Sequence, residues 1–243
     1  MTPTDFGPPS GSRLHDLAAD YGKADSTTDV DAPTFDTGTT IVAVSAADAV
    51  VMAADQRMSL GGRFTANKNV RKISRVHPHA ALAISGSVGP AQDAIRSIRA
   101  EASLYESRRG EPMTMQALSQ TAGHIVRGLP IAPILGGVDD TGGHVYELDG
   151  GGSVMEDAYA AGGSGMQVAY GVLEGRFEPD ASRSEATETA VAAVEAASER
   201  DTASGNGVTV ATVTSDGVEI EALDETAHTG DEHGAAGGAE EVA

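Results

Sequence analysis

The order in which strand-like and helix-like segments follow one another constrains this chain more than any single motif. From Thr39 onward, "TTIVAV" and "AVVMAAD" are strand-like runs separated by the turn-forming "SAAD", a hairpin signal. "GGRFTANKNVRKISRV" holds another pair of strands, and "AALAISG" is a short apolar run closed by Gly86. Five strands are therefore expected before any helix. Ala91, Ile95, Ile98, Ala102 and Tyr105 then recur three or four residues apart, the period of one helix face. A second helix is expected over "TMQALSQTAGHIVRG", with Thr114 as its N-cap. Two strands follow ("APILGGVDD" and "GGHVYELDG"), then two helices ("QVAYGVLEGRF" and "SEATETAVAAVEAASERD", the latter opened by a Ser cap). "GVTVATVTSDGVEIEAL" closes the pattern as a hairpin.

Blocks of one element type, rather than strict alternation, argue against a doubly wound parallel sheet. Short continuous apolar runs suit strands covered on both faces. Both conditions are met by an α+β fold of four layers, an αββα sandwich with two antiparallel sheets face to face and helix pairs outside.

Flanking that core, residues 1–38 are low in hydrophobicity and rich in turn formers, as expected of a disordered leader. Residues 224–243 form an acidic, Gly/Ala-rich stretch that reads as a disordered tail. The net charge is -20, from 36 acidic against 16 basic residues, and the lysines are Lys23, Lys68 and Lys72 alone. Such a surface disfavours nucleic acid and anionic membranes as partners. It suits concentrated salt, where the Debye length falls to about 3 Å and self-repulsion is screened.

The chain has no cysteine, which excludes disulfides, thiol nucleophiles and thiolate zinc sites. No apolar signal region opens the sequence, and no apolar run reaches the roughly 20 residues of a membrane span. A cytoplasmic protein is expected. "HPH" at 77–79 and "HTGDEH" at 228–233 read as a surface turn and a solvated tail rather than metal ligands. No Lys-Ser/Thr follows "GGSGM", so a phosphate loop is not expected.

Residues 36–223 resemble the β subunits of archaeal, haloarchaeal-type 20S proteasomes, threonine peptidases among the N-terminal-nucleophile hydrolases. The likeness is carried by the Gly38-Thr39 junction, "AADQRMSLGG" (53–62), "VRKI" (70–73) and "ISGSVGPAQ" (84–92). It continues through "ILGGVDDTG" (134–142), "GGSGMQVAYGVLE" (162–174) and "ERDTASGNG" (199–207). Each fragment is weak alone; their order and spacing together are specific. The αββα sandwich is that family's fold as well.

The resemblance implies a threonine-type endopeptidase that degrades unfolded proteins. It would be made as a precursor and cut by itself between Gly38 and Thr39, leaving a catalytic domain over residues 39–223. A threonine hydroxyl is a poor nucleophile without a base. Once Thr39 begins the chain, its own α-amine, with a pKa of roughly 8, supplies that base.

By the same resemblance Asp55 and Lys72 flank Thr39. Lys72 is preferred over Lys68 and Arg71 by aligning "NVRKI" with a one-residue insertion inside "GGRFTAN". Ser164, Asp201 and Ser204 would orient the amine and a water. Gly86 would offer its N–H to an oxyanion, and Ser59 and Gly86 would hold a peptide by main-chain bonds. Met58, Val70, Ile84 and Val88 would line an apolar pocket, implying cleavage after hydrophobic residues.

Implied partners are proteasome α subunits and other β subunits in stacked seven-membered rings, an ATPase unfoldase acting through the α ring, and unfolded polypeptides. No metal or cofactor is required. Two features depart from the pattern: Ile41 stands where many relatives have a third threonine, and "VRGLPIAPILGG" is short. A non-catalytic ring subunit and another amidase of the same fold remain the alternatives.

Overall fold

Strands that are apolar at every position need a partner layer on each side, and the computed structural model supplies both. It describes residues 38–223; the leader, tail and "HTGDEH" expectations lie outside the described residues. β1 (Thr40–Ser45), β2 (Val50–Asp55), β10 (Tyr159–Gly163), β11 (Val208–Thr214) and β12 (Gly217–Leu223) form one sheet in the order β10-β1-β2-β11-β12. β5 (Ile73–His77), β6 (Ala80–Gly86), β7 (Ile131–Asp139), β8 (Gly142–Leu148) and β9 (Val154–Asp157) form the second, in sequence order. Every pairing is antiparallel. A separate two-stranded ribbon joins β3 (Met58–Leu60) to β4 (Phe64–Asn67).

The period of two along each strand divides its side chains between layers. In β1, Ile41 and Ala43 join Met52, Ile73, Ile134 and Val145 between the sheets. Val42 and Val44 point the other way, onto Leu173 of α3 (Met166–Arg176) and Val194 of α4 (Arg183–Ser198). In the second sheet Leu82 and Leu135 pack outward on Ile98 of α1 (Val88–Arg109) and Leu118 of α2 (Met115–Val126). The expected αββα sandwich is therefore the observed one. Ile41 is fully buried, so the departure at this position serves the inter-sheet core. Full burial of such a side chain contributes about 2 kcal/mol.

The helix boundaries follow local chemistry. Thr114 Oγ1 accepts the Ala117 N–H, the expected cap of α2. α4 opens at Ser182, not Ser184, because Ser182 and Glu185 have the spacing of a reciprocal capping box and form both of its bonds.

Among the described residues three strands escape the sequence pattern, and six rather than five precede Val88–Arg109. β3 has only three residues, β9 is a largely exposed edge, and β10 reads "YAAGG", a composition that suggests a turn. The "HPH" expectation also needs correction. Pro78 is exposed in a turn, but His77 ends β5 as a buried side chain whose Nδ1 accepts the His79 N–H.

Candidate active site

Strand register gathers four chain segments at one end of the sandwich. Ile41 pairs with Ala54, which carries Thr39 and Thr40 alongside Asp55 at the end of β2. Thr40 pairs with Gly163 on the other flank, so Ser164 arrives beside Thr39. Val208 pairs with Asp55, which brings the loop from Asp201 to Gly207 to the same end.

Asp55 is completely buried, and each of its oxygens accepts two hydrogen bonds. Oδ1 takes the Thr40 N–H at 2.9 Å and Lys72 Nζ at 2.6 Å. Oδ2 takes the Arg57 N–H at 3.0 Å and the Gly205 N–H at 2.9 Å. Four donors fill a carboxylate's acceptor sites, so this charge is both desolvated and fully compensated. Lys72 is 6% exposed at its side chain. Burial pulls its ammonium below the ordinary lysine range, while the Asp55 charge and hydrogen bond resist that fall.

Thr39 is itself 2% exposed. Its Oγ1 donates to the Gly38 carbonyl oxygen at 2.7 Å, and Lys72 Nζ stands 3.5 Å from that same oxygen. Thr39 N–H donates to Ser164 Oγ at 3.1 Å. Ser164 Oγ donates to Asp201 Oδ2 at 2.5 Å, and Ser204 Oγ reaches that oxygen at 2.6 Å. The Thr40 hydroxyl lies 2.8 Å from Ser204 Oγ, which joins the network back to β1. The structure thus brings Thr39, Asp55, Lys72, Ser164, Asp201 and Ser204 into one connected cluster. Lys68 and Arg71 are exposed. In the β3–β4 ribbon Thr65 and Asn67 face Ser59 and Met58, leaving Ala66 as the extra residue of a bulge inside the expected insertion.

A pocket opens beside Thr39, and Met58, Val70, Ile84 and Val88 all line it. Ala91 and Ile95 of α1 extend the apolar lining. The sequence reading missed a polar part, where Ser74, Gln92, Arg57 and Arg71 also border the pocket. Gly86 lies at its edge with φ +107°, and a Cβ there would come 2.5 Å from the Pro130 carbonyl oxygen. Only glycine fits.

Ser59 also reaches this cluster through its side chain, its Oγ accepting the Gly38 N–H at 3.1 Å. Two further contributors went unread. Arg57 bonds Asn206 Oδ1 through Nε at 2.8 Å and the Thr202 carbonyl through Nη1 at 3.0 Å, pinning the loop that carries Ser204. Thr40 contributes both its N–H and its hydroxyl. An arginine in "ADQR" reads as a solvated charge, and nothing local in the sequence reveals contacts to residues about 150 positions away.

The chain is similar in sequence to known proteins over most of its length. The family model described as "Proteasome subunit" matches residues 35–213. The chain is 53% identical over 232 residues to the proteasome subunit beta of Halorhabdus utahensis, covering 93% of this chain and 96% of that one. It is 56% identical over 191 residues to proteasome subunit beta 1 of Haloarcula marismortui, covering 77% and 80%. The proteasome subunit beta of Halobacterium salinarum is 56% identical over 185 residues, covering 75% and 76%.

Proposed function

The chain belongs to the proteasome subunit family, and on that premise we propose that it is a catalytic β subunit, a threonine endopeptidase that matures by cutting its own chain. Membership implies assembly into a multisubunit complex. The reading adds the finer organisation: leader 1–38, catalytic domain 39–223, acidic tail 224–243. It also adds rings shared with α subunits, an unfoldase ATPase feeding unfolded chains, and a cytoplasmic setting. Among the described residues no helix is long and apolar enough to cross a membrane.

The observation that carries the proposal is the position of Thr39 Oγ1, 2.7 Å from the carbonyl oxygen of the residue before it and beside the Lys72–Asp55 pair. In maturation Thr39 Oγ1 bonds to the Gly38 carbonyl carbon and the Gly38–Thr39 C–N bond breaks. The hydroxyl proton passes to the departing nitrogen. Water then cleaves the resulting ester, giving a Gly38 carboxylate and restoring the Thr39 hydroxyl beside a free amine.

In peptide hydrolysis that amine, held near Ser164, takes the hydroxyl proton as Oγ1 attacks a substrate carbonyl. Lys72 lowers the cost of negative charge on Oγ1, and Asp55 holds Lys72 in place. The Gly86 N–H serves the oxyanion; one such donor is worth about 2.7–4 kcal/mol in other hydrolases. The amine collapses the intermediate by protonating the leaving nitrogen, and water releases the acyl group.

Substitution Thr39→Ala tests the proposal. Assembled particles carrying it should keep residues 1–38 and hydrolyse no peptide, while the fold persists. Peptidase activity in those particles would instead favour another nucleophile.

A further inference from the structure

The residue before the cut is held from both sides, and one of the holders has no part in the mechanism above. Ser59 is buried, and its Oγ accepts the Gly38 N–H at 3.1 Å. That contact tethers the peptide plane preceding Gly38. The following plane is tethered separately, through Thr39 Oγ1 and Lys72 on the Gly38 carbonyl and Ser164 on the Thr39 N–H. Glycine has more backbone freedom to lose than any other residue, so the bond to its amide narrows a wide set of carbonyl orientations. Attack by a neighbouring hydroxyl depends on that orientation.

A substrate residue cannot follow the path Gly38 takes. A Cβ built on Gly38 would lie 1.7 Å from the Ala203 Cβ and 2.9 Å from both the Ala203 Cα and Ser59 Oγ. A residue with a side chain must therefore run differently, turning toward the pocket lined by Met58, Val70 and Ile84. The Ser59 hydroxyl meets the leader in a place that the substrate residue before the cut is sterically denied.

We propose that the Ser59 side chain is a positioning group for self-cleavage, orienting the Gly38 carbonyl for attack by Thr39; this rests on the self-cleaving reading above. The test compares the isosteric pair Ser59→Thr and Ser59→Val, which share a shape and differ in the hydroxyl. The first-order loss of residues 1–38 is followed by intact mass after assembly of full-length precursors. Ser59→Thr should process at close to the wild-type rate, and Ser59→Val about 5-fold slower, the ratio carried by one net hydrogen bond. Equal rates for the two variants, whether both fast or both slow, would overturn the assignment, because shape rather than the hydroxyl would then govern. Thr39→Ala precursor runs alongside. Leader loss in that variant would overturn the self-cleaving reading itself, independently of the Thr-to-Val ratio.

Discussion

Lys72 Nζ and Asp55 Oδ1 lie 2.6 Å apart, and the same carboxylate oxygen accepts the main-chain N–H of Thr40. One atom thus couples a buried ion pair to the first strand residue after Thr39. Lys72→Ala removes the cation from a carboxylate with no exposure to water. Breaking a buried pair on one side costs about 3–5 kcal/mol. The thermal midpoint of the precursor should fall by roughly 10 °C on that basis. Peptide hydrolysis should drop about 100-fold or more. Calorimetry and a fluorogenic assay at one fixed salt concentration check the two effects.

Gly38→Ala should stall maturation. The added methyl meets Ala203 at a separation no pair of carbons tolerates, and Ala203→Gly relieves only part of the contact because the Ala203 Cα and Ser59 Oγ remain 2.9 Å away. Leader removal should be slowest in the single variant and intermediate in the double variant. Rapid processing of Gly38→Ala would show that the chain before Thr39 takes another course.

Asp139 supplies a pH signature away from the cluster. Burial opposes its ionisation, but the Thr141 hydroxyl, the N–H groups of Met115 and Thr141, and nearby His144 outweigh that and bring its pKa down to about 2. A depressed carboxyl stabilises the fold fully above its unfolded value and loses that contribution as pH falls through the folded one. Wild type should therefore exceed Asp139→Asn in stability by roughly 2 kcal/mol at pH 6. The two should converge near pH 2. Denaturation curves across that range read the difference directly.

The mixed lining of the pocket sharpens the expected cleavage preference. Apolar side chains should be favoured by Met58, Val70, Ile84 and Val88, and arginine disfavoured by the cationic Arg57 and Arg71 alongside them. Discrimination of about 10- to 200-fold between apolar and arginyl peptides is the scale such pocket contacts reach. A peptide panel with stronger cleavage after arginine would contradict this arrangement.

How legible each element was in the sequence depended on how local its physics was. The face of α1 was legible because Ala91, Ile95, Ile98, Ala102 and Tyr105 recur at helical spacing, the start of α2 because of its Thr114 cap, and β1 because "TIVAV" is apolar on both faces. Lys72 was separable from Lys68 and Arg71 only through the family resemblance around "NVRKI"; the bulge at Ala66 falls inside the stretch where that resemblance implies an extra residue. β9 and β10 were not legible, since exposed residues and glycines acquire strand geometry only from their neighbours. Arg57, the Thr40 hydroxyl and the Ser59 hydroxyl escaped for a related reason. Their partners, Asn206, Ser204 and Gly38, come close only through strand register and loop packing.

The most direct measurement is peptide mapping by mass spectrometry of active, assembled particles treated with an acylating active-site inhibitor. The chain recovered should begin at Thr39 and carry the acyl group on that residue. An active particle that retains residues 1–38, or an acyl group attached anywhere else, would contradict the proposal.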